Sequence, residues 1–199
     1  MEEKCIRCIL QRNETKNGIE KYSKIMSLFS KVNVLENKEI QKKFNGFYKI
    51  RRNEKFLEIY YSFMEKNKHK KPTFVQTLRE LNKFGNLEAS FASKLLATID
   101  PNLPIWDKYV LEYFNLEAPS RNLSDEQRIN QANSLYEKIR NLYKHLLEKE
   151  ESKIMIKLFD EIYPKHKISS IKKIDFIIWQ LRLSQNPELS RKTSVNLII

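Results

Sequence analysis

One carboxylate stands where acid–base or electrostatic chemistry could be built. Asp107 follows the apolar run Pro104-Ile105-Trp106 and precedes a helical stretch from Lys108 to Phe114. Apolar surroundings suit a carboxylate to proton transfer or to stabilising a developing cation. The plainer role for the same residue is capping that helix, which Asp does often. One helix upstream lies a tight turn, Phe84-Gly85-Asn86, with Lys83 before it and Lys94 beyond it. A turn whose backbone N–H groups open onto a helix N-terminus suits a phosphate, because unpaired donors and the macrodipole both favour an anion. Gly85 would let the backbone come close.

The remaining reactive residue types are sparse. Cys5 and Cys8 form a single C-x-x-C with no second pair, and His69, His145 and His166 are scattered. Zinc needs four ligands and an iron–sulfur cluster four cysteines, so no metal and no cofactor is expected. The two thiols read as half-buried apolar residues of a first helix.

The elements that must position Asp107 and the turn are helices. Glycine occurs only 3 times, and apolar residues recur at helical spacing: Ile19, Tyr22, Ile25, Met26 and Phe29, then Phe74, Leu78 and Leu81, then Ile129 through Leu146. Further helices are expected at Glu39 to Phe47, Asn53 to Lys66, Glu88 to Thr98, Lys153 to Tyr163 and Ser170 to Leu183. The last is apolar on two flanks and should be central. Asn17-Gly18 is read as lying ahead of a helix, and Ser124 with Gln127 as a capping box. No repeat or low-complexity linker divides the 199 residues, so one all-α domain is expected.

Charge points to a polyanion. Lys and Arg total 37 against 25 Asp and Glu, a net +12. From Lys42 to Lys71 there are ten Lys/Arg, among them Lys49, Arg51 and Arg52, and three Glu. Double-stranded DNA is the expected partner, although an A/T-rich coding sequence yields Lys enrichment whatever the function. The N-terminus carries no secretory pattern and no apolar run reaches ~18 residues, so a cytoplasmic protein with no membrane partner is expected. Trp106 and Trp179 are core anchors by residue type and also the two candidates for lining a base pocket.

The stretch Leu81 to Leu116 resembles the helix-hairpin-helix DNA glycosylase superfamily, through the turn at Phe84-Gly85-Asn86 and through Leu103-Pro104-Ile105-Trp106-Asp107. Ile171 to Trp179 is similar to the closing helix of uncharacterised bacterial relatives. The resemblance implies two helical lobes around an interlobe cleft, a middle lobe at about 38–103 and a second lobe from 1–37 plus 104–199. It also implies DNA contacts from Lys83, Phe84, Gly85, Asn86 and Lys94, and Asp107 as the catalytic residue. The family hairpin carries two glycines where this one carries Gly85 alone. Roughly five helical turns before Asp107, where bifunctional members hold a Schiff-base lysine, stand Glu88 and Ala89. Lys94 is closer and is expected to face solvent or phosphate. The resemblance thus implies a monofunctional base-excision glycosylase. A non-catalytic DNA-binding or regulatory module of the same fold stays open, as does a basic protein-interaction scaffold.

Overall fold

The computed structural model describes residues 2–83, 86–120 and 122–181, and among them it contains ten helices and no strand. They are α1 (Glu3–Gln11), α2 (Asn13–Phe29), α3 (Lys38–Tyr48), α4 (Glu54–Asn67), α5 (Phe74–Asn82), α6 (Ala89–Ile99), α7 (Lys108–Tyr113), α8 (Asp125–Glu148), α9 (Glu150–Ile162) and α10 (Ser170–Leu181).

Their starts follow from local chemistry. Asn37 and Asn53 accept from the backbone N–H of Ile40 and Phe56, capping α3 and α4. Thr73 with Gln76, and Ser124 with Gln127, close reciprocal capping boxes on α5 and α8. Each such cap stabilises by about 1 kcal/mol. α3 ends where Lys49 turns into the left-handed region at φ 57. Asn17-Gly18 lies inside α2 rather than ahead of a helix. The reason is packing: a Cβ on Gly18 would stand 3.3 Å from the Phe176 ring, so glycine admits α10 at close range.

Apolar residues bury into two clusters. The larger runs from the end of α2 through α3–α8 and takes Ile174 and Ile178 from α10. The smaller joins α1, the first half of α2 and α9 to Phe176 and Ile177. α10 therefore feeds both, which explains its apolar flanks. α7 and α8, assigned to the second lobe by sequence, bury their apolar faces in the larger cluster with the middle helices.

Two seams set the position of residue 107. Ser93 of α6 accepts from the Trp106 N–H at 2.9 Å, and the Tyr136 hydroxyl of α8 donates to the Pro104 carbonyl at 2.9 Å. Trp106 stacks on Phe74, which stacks on Tyr136 with ring centroids 4.1 Å apart. The loop is thus clamped on both sides before the chain enters α7. A third tie fixes α10 to the same loop: the Ser169 hydroxyl donates to the Pro101 carbonyl at 2.5 Å and accepts from the Lys172 N–H.

Candidate functional site

Where α6, the mouth of α7 and α10 meet, the protein buries charge. Asp107 is half-buried and its Oδ1 caps α7, accepting from the N–H groups of Tyr109 at 2.9 Å and Val110 at 3.0 Å. Lys94, in the second turn of α6, is only 8% exposed. Its amine donates to the Ser90 hydroxyl at 2.9 Å and lies 5.3 Å from the Phe91 ring centroid. Burial pushes the Lys94 amine down to about 8; Lys172 pushes the same way, while Asp107 and Glu88 oppose the fall. An amine in that range is still mostly protonated at pH 7, but about a tenth of it is the free base, far more than for an exposed lysine, and the free base is the form a nucleophilic lysine requires.

α10 supplies two more buried lysines, Lys172 and Lys173, the second donating to Asp160 Oδ2 at 2.7 Å. Lys172 is 3% exposed and its amine lies 3.4 Å from Asp175 Oδ2. Five rings surround it: Trp179 at 4.1 Å, Tyr22 at 5.3 Å, Phe176 at 5.5 Å, Tyr48 at 5.6 Å and Phe47 at 5.9 Å. The Tyr143 hydroxyl of α8 donates to Asp175 Oδ1. Burial raises the Asp175 carboxyl to about 6 against the pull of Lys172 and Tyr143. Burial likewise lowers Lys172, opposed by Asp175 and Asp107. Desolvation thus pushes both partners of this pair toward their neutral forms.

The basic stretch adjoins this site through one ion pair. Arg52 donates to Glu88 Oε1 from Nη2 at 2.8 Å and from Nε at 3.1 Å, and its guanidinium lies 5.0 Å from the Phe91 ring that also faces Lys94. Lys49 and Arg51, beside it in the α3–α4 connection, are exposed. The segment 49–52 therefore brings exposed positive charge to the start of α6.

The site residues read from sequence are only partly brought together. Phe84 and Gly85 lie outside the described residues, so the grip of the hairpin on phosphate is not part of this geometry. Asn86 is exposed, and Lys83 is exposed and paired with Glu80 at 2.8 Å. Lys94, expected at the surface, is buried because α6 packs on nearly every side: Ala92, Ser93, Leu95, Leu96, Ala97 and Thr98 are buried with it. Trp106 is 5% exposed and committed to the Phe74 stack, a core role in place of a base platform. Trp179 is half-buried and lies over Lys172. Cys5 is half-buried, Cys8 is exposed, and both are free thiols. Leu183, expected in the last helix, lies outside the described residues.

Sequence reasoning missed Lys172, Asp175 and Tyr143. A signal existed: Lys172 and Asp175 are three apart on an otherwise apolar helix face shared with Phe176 and Trp179, and ionisable residues so placed must pair or titrate. A wide groove of about 830 Å³ between α4 and α5, lined in part by Lys55, Lys66, Arg79 and Lys83, does not include Asp107 or Lys94. Arg79 and Lys83 there already pair with Glu126 and Glu80, so its charges are those of a solvated surface. Compared with known proteins, the chain matches no family model, no curated protein and no solved structure.

Proposed function

We propose that the chain binds duplex DNA and acts on a damaged or mispaired base at the Lys94–Asp107 site, after the pattern of helix-hairpin-helix glycosylases. One observation carries this reading: a buried lysine amine, pushed down to about 8, faces the same Phe91 ring as Arg52, at the start of the helix to which the basic stretch is tied by the Arg52–Glu88 ion pair. Under this reading the base is turned out of the duplex to reach α6 and the mouth of α7. Asp107 stabilises positive charge on the sugar as the glycosidic bond breaks.

Lys94 widens the expectation from water-mediated hydrolysis to amine attack. Its lone pair forms a bond to C1′, the glycosidic bond breaks, and the bonding electrons leave with the base. Opening of the sugar ring then gives a C1′ imine, which a hydride donor reduces to a stable secondary amine. The test is a panel of duplexes, each with one lesion or mismatch, incubated with the protein and sodium cyanoborohydride. The expected result is a covalent protein–DNA adduct that Lys94→Met abolishes, with Asp107→Asn losing base release while retaining binding. Base release without an adduct would assign the chemistry to water and Asp107.

A second reading has its own observation. Asp107 Oδ1 is occupied by two backbone N–H groups of α7, as in a purely structural cap. A non-catalytic DNA-binding module predicts salt-dependent duplex affinity with no base released from any member of the panel.

A further inference from the structure

The groove of about 830 Å³ between α4 and α5 includes neither Asp107 nor Lys94, and its chemistry is of another kind. Along α4 it is lined by Lys55, Ile59, Ser62 and Lys66, spaced i, i+4, i+7 and i+11, so one stripe of the helix forms a whole wall. Phe63 beside that stripe and Leu35 from the α2–α3 connection add to its apolar part. Ile59, Phe63 and Leu35 are only half-buried, so each keeps apolar surface open to the groove. Phe56, Tyr60 and Tyr61 of the same helix each pack against another ring, whereas Phe63 faces no ring among the described residues. Apolar surface left open inside a charged border marks a contact site for another protein.

The border is basic. Lys55 and Lys66 stand at the two ends of the stripe, both exposed and without an ion pair among the described residues. On α5, Arg79 and Lys83 are held by surface pairs to Glu126 and Glu80. Such pairs contribute about 0–1 kcal/mol, so a carboxylate from outside replaces them at little cost. Glu58 and Glu80 are the acids of the lining, against these four cations. From Lys55 to Lys66 the wall runs about 16 Å, three helical turns.

We propose that this groove receives an acidic amphipathic helix of a partner protein, whose apolar stripe lies on Ile59, Phe63 and Leu35 and whose flanking carboxylates meet Lys55 and Lys66. Recognition of a helix in a groove needs these two parts: an apolar trough for residues at i, i+3, i+4 and i+7, and opposite charge along its edges. Duplex DNA fits the groove less well, because it brings no apolar ridge to Ile59 and Phe63, and Glu58 and Glu80 stand against a phosphate strand. A second copy of this chain would bring the same basic border and a net charge of +12, so like charge opposes it.

The probe is a fluorescein-labelled synthetic helix of about three turns, with Leu at i, i+3, i+4 and i+7 and Glu on both flanks, titrated with the full chain and read by fluorescence anisotropy. A scrambled peptide of the same composition should bind at least about tenfold more weakly. Phe63→Ser should weaken the ordered peptide about 30-fold, as loss of an aromatic anchor does. Lys55→Glu/Lys66→Glu should weaken it about tenfold and should gain affinity for a peptide whose Glu residues are replaced by Lys. Circular dichroism checks that the variants fold, and the charge-reversed chain tests the groove even where Phe63→Ser does not. No binding, equal binding of the scrambled peptide, or unchanged affinity in both variants overturns the proposal. Duplex DNA that displaces the peptide and itself loses affinity in Phe63→Ser would assign the groove to DNA and overturn it as well. So would a dimer in sedimentation velocity that Phe63→Ser abolishes, which would assign the groove to a second copy.

Discussion

Lys94 of α6 and Lys172 of α10 are both driven into the interior, and their surroundings treat them in opposite ways. Lys172 receives a carboxylate at 3.4 Å and five aromatic faces. Lys94 receives a hydroxyl and one ring, with no carboxylate at ion-pair distance among the described residues. A buried charge with a full set of partners is a fixed feature of the fold. One without them raises the free energy of the folded state and is retained where that amine does something. The contrast sets a buried cation with its partners in place apart from one that lacks them.

The largest expected effect comes from breaking the complete set. Asp175→Ala leaves Lys172 buried without its counter-charge and the Tyr143 hydroxyl without its acceptor. Loss of one partner of a buried pair costs about 3–5 kcal/mol, read as a fall in the urea midpoint at unchanged slope. A cost below about 1 kcal/mol would show that Lys172 sheds its proton with little penalty, and the contrast would collapse.

The incomplete set predicts the opposite sign. Lys94→Met keeps the stem and removes the poorly compensated charge, so the variant should be more stable than the parent at pH 7, by roughly 1–3 kcal/mol. Destabilisation of similar size would mean that the amine is well satisfied and not poised.

The pH dependence sharpens this. The folded Lys94 amine titrates at about 8 and an unfolded one near 10.5, so between these values the unfolded chain binds the extra proton. Parent stability therefore rises with pH relative to the variant. The advantage of Lys94→Met should be full below pH 8 and fade as pH approaches 10.5. Comparing the two chains cancels the buried tyrosines, whose raised values act on both alike.

How much of this was legible in sequence depends on the length scale of the interaction. Caps act within four residues, so Asn53, Ser124 with Gln127, and the helices they start could be read directly. Asp107 at the mouth of α7 was legible for the same reason. The burial of Lys94 was not, because it depends on helices that pack on α6 from distant parts of the chain. The cage around Lys172 draws rings from α2, α3 and α10, and no spacing along the chain encodes that meeting. Asn17-Gly18 misled because a turn-forming pair and a close helix crossing both ask for glycine, and only the approach of Phe176 distinguishes them.

The smallest effect on stability tests the comparison most finely. Ser90→Ala removes the one side-chain acceptor that Lys94 has on its own helix, four residues back. Losing a hydrogen bond to a charged group costs about 1.5–3 kcal/mol where that bond is well formed and less where solvent can replace it. Alanine returns about 0.5 kcal/mol of helix propensity. The net change should stay within about 1–2 kcal/mol, far below that of Asp175→Ala. The amine itself should respond more clearly, because an acceptor stabilises its protonated form and removing that acceptor lowers the midpoint further. Ser90→Ala should therefore speed acetylation of Lys94 at pH 7, whereas Asp175→Ala disturbs the fold first. If Ser90→Ala instead slows acetylation, the hydroxyl is serving to aim the amine, and exposure rather than charge governs its reactivity.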